Sequence, residues 1–107
     1  MSGSSGEMGN LLKQAQRMQQ AMDAAREELK TKMIDAASPS GAVRVSITGD
    51  GRIDKFELSD TLVASGDKEA MESQILATLR EGLERATKVR DERLALVTGG
   101  LNLPGLL

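Results

Sequence analysis

The side chains available for chemistry in this chain are few in kind. There is no Cys and no His, which removes thiolate nucleophiles, disulfides, the commonest general base and the commonest metal ligand. Ser and Thr hydroxyls fall in strand, turn and helix-surface contexts with no base to activate them. The carboxylates mostly share helix surfaces with Lys or Arg. Gly49-Asp50-Gly51 lacks the further spaced oxygen ligands of a calcium loop and does not open a helix as a phosphate loop would, so it reads as a turn. The six Met include three strung along one helix axis, where thioethers fill gaps in a packing seam rather than converge on a soft metal. The expectation is a non-enzymatic protein with no catalytic set, metal, cofactor or small-molecule substrate.

What remains is donors. Lys13, Gln14, Gln16, Arg17, Gln19 and Gln20 follow one another with no acidic residue between Glu7 and Asp23. On a helix, Lys13, Arg17 and Gln20 share a face with Gln16 beside them. Long cationic and amide side chains are the usual donors to phosphate oxygens. Spacing alone leaves two readings open, a phosphate-binding face and a solvated face that lacks acids. A second group, Arg80, Arg85, Lys88, Arg90 and Arg93, is interleaved with Glu81, Glu84, Asp91 and Glu92 and reads mostly as a salt-laced surface. Net charge is −2, from 16 acidic and 14 basic residues. Affinity for a polyanion must therefore come from local placement of cations, because the overall field is unfavourable.

These groups need elements to hold them. Apolar or small residues at Leu11, Ala15, Met18, Met22, Ala25, Leu29 and Met33 predict a long helix from about Gly9 to Ala37 with a coiled-coil-like stripe. Ser38-Pro39-Ser40-Gly41 breaks it. Val43, Val45 and Ile47 alternate with polar residues as in a half-buried strand, and Gly49-Asp50-Gly51 turns into a second strand, Arg52 to Leu58, with Phe56 and Leu58 inward. Ile53 falls out of that alternation, which predicts a bulge or an edge contact. The connector, 59–66, has room for a third short strand around Thr61 to Val63. Asp67 is the expected N-cap of a second long helix, about Lys68 to Val97, striped by Met71, Ile75, Leu79, Leu83, Ala86 and Val89. Gly82 in its interior invites close backbone approach. The fold class is α+β: long helix, antiparallel β-hairpin, long helix.

Residues 1–8 are expected to be a leader outside the fold, 9–97 a single domain, and 98–107 a Gly-rich flexible tail. Phe56 is the only aromatic residue, so a core of Leu, Ile, Val and Met must suffice. Chains with so little apolar bulk often bury the rest against a partner. A homodimer is thus expected, with Met18, Met22, Leu29 and Met33 as its interface. No run of 18 apolar residues suggests a membrane span, and the cytoplasm is the default location.

Three stretches together resemble the YbaB/EbfC family of nucleoid-associated proteins. They are Gly9-Asn10-Leu11-Leu12-Lys13-Gln14-Ala15-Gln16-Arg17-Met18-Gln19, then Gly41-x-Val43-x-Val45-x-x-x-Gly49, then Gly100-Leu101-Asn102-Leu103-Pro104-Gly105. The resemblance covers about residues 8 to 105. It implies a tweezer-like homodimer whose helical arms embrace duplex DNA with weak or no sequence preference. It also implies a cytoplasmic bacterial protein at the nucleoid that influences its organisation and gene expression. Ser59-Asp60 stand where that family often has a Pro. The family's basic and amide positions fall on Lys13, Gln16, Arg17 and Gln20, while Arg85, Lys88, Arg90 and Arg93 are DNA-binding candidates by charge. The rival reading is a prefoldin-like coiled-coil chaperone or adaptor subunit, which also runs helix, β-hairpin, helix.

Overall fold

The computed structural model describes residues 2–99, with side chains from Gly6 onward. The elements are α1 (Ser2–Thr31), β1 (Met33–Ala37), β2 (Val43–Thr48), β3 (Ile53–Leu58), α2 (Asp60–Ala64) and α3 (Lys68–Val97). The expected α+β order holds, a long helix, an antiparallel sheet and a long helix, in a molecule 78 Å long and 21 × 16 Å across.

The sheet has three strands in the order β1-β2-β3, and its extra strand is not where the sequence placed it. The first helix stops at Thr31, and residues 33–37, expected as its last turn, pair antiparallel with β2 from Met33↔Thr48 to Ala37↔Arg44. Ile34 and Ala36 point inward while Met33, Asp35 and Ala37 are exposed, a period of two hidden in helix-favouring residue types. Two strands alone are marginal, and pairing plus burial of Ile34 outweighs the helix propensity of Met and Ala. Residues 60–64, by contrast, are helical rather than a short strand. The Ser59 hydroxyl accepts from the Leu62 N–H at 3.1 Å and Leu62 is buried, so capping and burial override the β-branched Thr61 and Val63. At the other end α1 begins at Ser2, so residues 2–8 continue the helix rather than precede it. Residues 100–107, most of the expected tail, lie outside the described residues.

The hairpin closes as its residues require. Thr48 N–H donates to Arg52 O at 2.8 Å and Gly51 N–H to Thr48 O at 2.9 Å, with Gly51 at φ +89°, a region open to glycine. The register steps from Ser46↔Lys55 to Ile47↔Ile53, which leaves Asp54 as the extra residue of a bulge beside Ile53.

α3 is capped by Asp67, whose carboxylate accepts from Ala70 N–H at 3.0 Å. Its middle lies on β1 and β2 through small residues. Ala86 joins Ile34, Ala36, Val45 and Ile47 in one core cluster, flanked by Leu79 and Val89. A Cβ on Gly82 would stand 2.6 Å from Ile47 Cδ1 and 3.2 Å from Val45 Cγ1. The true buried face therefore runs through Thr78, Gly82, Ala86 and Leu94, and Leu83, expected on the stripe, is 40% exposed.

The C-terminal half of α3 then runs antiparallel beside α1. Met22, Ala25, Leu29 and Leu94 form a second cluster, with Met18, Val89 and Val97 packed on it. The α1 seam is thus closed within one chain. Gly49 completes it from the hairpin, because a Cβ there would meet the Leu29 carbonyl oxygen at 2.7 Å. Arg93 Nε donates to Glu28 Oε2 at 2.7 Å across the pair.

Two measurements check this packing. Gly49→Ala should cost about 1–3 kcal/mol in urea unfolding, because the atom it strikes is backbone. Gly82→Ala should cost about 1–2 kcal/mol in the same measurement, because its methyl strikes the buried Ile47 and Val45 side chains and alanine's helix preference returns only part of that. The Arg93 hydrogen bond, and next its charge, hold the Glu28 carboxyl below the ordinary value of 4.5, burial opposing slightly and Lys32 adding to the effect. A carboxyl depressed in the folded state stabilises above its unfolded value and loses that contribution as pH falls. Glu28→Gln should therefore unfold at lower urea than the parent at pH 7, and the difference should close progressively below pH 4.5.

Candidate nucleic-acid interface

Because α3 ends at Val97 beside Met18, the half of α1 before that point projects alone. Residues 10–17 are all exposed, over roughly 12 Å of helix axis at 1.5 Å per residue. On this arm the sequence sets two faces. Met18, Met22, Ala25 and Leu29 mark the stripe turned toward α3. Lys13, Gln16, Arg17 and Gln20 lie on the opposite side, and all four are exposed. Neither Lys13 nor Arg17 takes part in an ion pair among the described residues. Acids enter only at Asp23, which accepts from Gln19 Nε2 at 3.1 Å. The arm thus carries two exposed cations and two amides on a helix surface without local neutralisation.

The α3 cations are held differently. Arg85 donates to the Asp35 carbonyl at 2.8 Å and to Glu81 at 2.6 Å, fixing α3 to the edge of β1. Arg93 is engaged by Glu28. Arg90 is half-buried near Gly51 of the hairpin turn. Lys88 is exposed but shares a shallow hollow with Glu84, Asp91 and Glu92. Arg93 lies level with Glu28, eleven residues from Arg17 on α1 and so roughly 16 Å away along the axis. The structure brings Lys13, Gln16, Arg17 and Gln20 together and does not join the four α3 cations to them.

The residues expected at a dimer interface also sort apart. Met22 and Leu29 are 4% and 2% exposed in a single chain, so they are already spent in its own core and are not free to meet a partner. Met18 is half-buried on the same cluster. Met33 belongs to β1, not to the α1 stripe, and is exposed. The apolar surface that does remain was not visible as a stripe. Phe56 pairs with Val45 and shares its face of the sheet, but α3 covers β1 and β2, leaving Phe56 and Ile53 exposed rather than inward. Arg85, on one flank of α3, reaches β1, so the other flank, with Leu76 and Leu83, leans toward β3. Both leucines are exposed. The alternation at 53–58 was the available signal, and the bulge at Asp54 concealed it.

Among the described residues no group of three or more acidic side chains could hold a metal ion. Among the same residues no helix is long and apolar enough to cross a membrane.

The chain is similar over nearly its whole length to known proteins. The chain is 38% identical over 105 residues to a nucleoid-associated protein of Acetivibrio thermocellus, covering 97% of this chain and 93% of that protein. A nucleoid-associated protein of Ruminiclostridium cellulolyticum is 34% identical over 105 residues, covering 97% and 91%. The crystal structure of the uncharacterized protein HP0035 from Helicobacter pylori superposes with a TM-score of 0.73 at 27% identity, over 89% of this chain and 96% of that one. The profile of the YbaB/EbfC DNA-binding family matches residues 5–101, nearly the whole length, and the chain belongs to that family.

Proposed function

We propose that this chain is a non-enzymatic, nucleoid-associated protein that grips the backbone of duplex DNA as a homodimer. The observation that carries the reading is the projecting half of α1, with Lys13, Gln16, Arg17 and Gln20 on one exposed face and no acid between Glu7 and Asp23. Ammonium, guanidinium and amide groups on an unobstructed rod suit phosphate oxygens, and such contacts fix position without reading bases. Contacts of this kind, made to the backbone from one face of a long helix, go with weak or no sequence preference. The relatives from Acetivibrio thermocellus and Ruminiclostridium cellulolyticum are named nucleoid-associated proteins, which supports a place at the nucleoid. A cytoplasmic location and effects on nucleoid organisation and gene expression are what the family resemblance adds to the proposal. Family membership favours duplex DNA over the non-native polypeptide that a prefoldin-like subunit would hold.

The second copy has a natural seat. Ile53, Phe56, Leu76 and Leu83 are 52%, 43%, 49% and 40% exposed, and they flank the uncovered face between β3 and α3. Closing that face against its own copy joins the two sheets and leaves both α1 arms free, one on each side of the duplex. Arg85 and Arg93 serve the fold in this arrangement, and Lys13 and Arg17 supply the phosphate contacts.

The DNA reading is tested by gel-shift titration at several salt concentrations. Four cations per dimer predict a log K against log salt slope of roughly −3.6, at −0.9 per phosphate neutralised. Lys13→Ala with Arg17→Ala should remove most of that slope and weaken binding to all duplexes alike, with circular dichroism intact, while Arg44→Glu on the sheet should do much less. Unchanged slope and affinity in the double variant would move the site off α1, and no duplex binding by the parent at low salt would turn the reading toward the chaperone class. The dimer is tested by light scattering. Phe56→Lys with Leu83→Lys should give a folded monomer, whereas Leu29→Lys should unfold the chain, and a parent that is monomeric at micromolar concentration would end the dimer reading.

A further inference from the structure

The six methionines do not share one environment. Met8 and Met33 are 65% and 48% exposed and belong to neither core cluster. Met71, half-buried near the start of α3, belongs to neither as well. Met22 is 4% exposed, inside the seam between α1 and α3. Among the described methionines Met18 alone is both packed and open. It is half-buried and rests on the cluster of Met22, Ala25, Leu29 and Leu94, as Val97 does from the end of α3. Residues 10–17 before it are exposed, so Met18 is the last side chain of the seam at the root of the arm.

A thioether is the one kind of group in this seam that a mild oxidant changes. Hydrogen peroxide gives it one oxygen. A sulfur lone pair attacks a peroxide oxygen, the S–O bond forms as the O–O bond breaks, and the departing hydroxide takes the transferred oxygen's proton and leaves as water. Sulfur loses two electrons and the peroxide gains them. The product is polar where the parent was apolar, and such a group disrupts packed thioether contacts. The side chains that make up this seam, Met22, Ala25, Leu29, Val89, Leu94 and Val97, hold no hydrogen-bond donor for the new oxygen. Thr98, next along α3, already gives its hydroxyl to Ala95 O at 3.2 Å. The sulfoxide must therefore turn out to water, and Met18 leaves the seam.

We propose that Met18 is a site of reversible oxidation by peroxide, whose sulfoxide releases the last turn of α3 from α1 and so unclamps the root of the projecting arm. A thiol-dependent sulfoxide reductase reverses the step, since two thiols become a disulfide while the sulfoxide returns to thioether and water. Met8 and Met33 react as well, with no cluster to disturb. The proposal does not rest on DNA binding and is tested without it.

The full chain is treated with graded hydrogen peroxide, each methionine is followed by peptide mass spectrometry, and amide exchange is measured on the product. Met8 and Met33 should be modified first, Met18 next, and Met22 about tenfold more slowly than Met33. At doses that modify Met18 and leave Met22 intact, exchange at amides 94–98 should rise about tenfold while 43–48 stay unchanged. Methionine sulfoxide reductases with dithiothreitol should restore the original rates. Met18→Leu, which keeps the volume, should show no rise after the same treatment. Met18→Gln, unbranched and polar, should show it without peroxide. A Met18 no more reactive than Met22, or unchanged exchange once Met18 is modified, would overturn the proposal. So would an equal rise in oxidised Met18→Leu, which would place the effect at another methionine.

Discussion

The rest of the molecule depends on how near α3 can come to the sheet. With one aromatic residue in 107, there is no bulk to fill a conventional gap between helix and strands, so the gap is closed by bringing backbones together. Gly82 and Ala86 on α3 and Ala36 on β1 make the contact. Gly49 does the same for the hairpin against Leu29. Each of these positions tolerates few atoms, and together they fix the line of α3 along the sheet. That line carries the end of α3 onto α1, where Leu94 and Val97 meet Met18 and Met22. The direction of the arm is therefore set by small residues some distance from it.

The sequence disclosed those parts of this that depend on local signals. Asp67 as a cap, Gly82 as a point of close approach, the turn at Gly49-Asp50-Gly51 and the disturbance beside Ile53 each follow from one residue's backbone chemistry. β1 was illegible for the same kind of reason. Met33, Ala36 and Ala37 suit helices, and Met33 falls four residues after Leu29, so the stripe seemed to continue through it. Only the partner strand, 43–48, converts Ile34 and Ala36 into an inward pair. Local propensity lost to pairing there, and lost to a cap and a buried Leu62 at 60–64.

The candidate site was legible in one half. An acid-free run of donors is a property of the sequence, and the helix simply displays it. What the α3 arginines do depends on what stands across from them. Glu28 is 65 residues from Arg93 in sequence, and the Asp35 carbonyl 50 from Arg85, and no spacing rule links such pairs. Charge alone could not separate structural cations from free ones. The same limit applied to Met22 and Leu29, whose partner turned out to be their own chain.

The projecting half of α1 is a cantilever. Its root is clamped at Met22, and about 21 Å of rod separates that clamp from Met8. A tilt of only 10° at the root would carry Met8 sideways by roughly 4 Å, and the residues before it further. Bending stiffness at Met18 and Met22, residues that touch no ligand, therefore governs how closely the tip can follow the contour of whatever lies beside it. Unbranched thioethers at that root are the softest apolar packing available, so the joint is compliant while the rod beyond it stays straight.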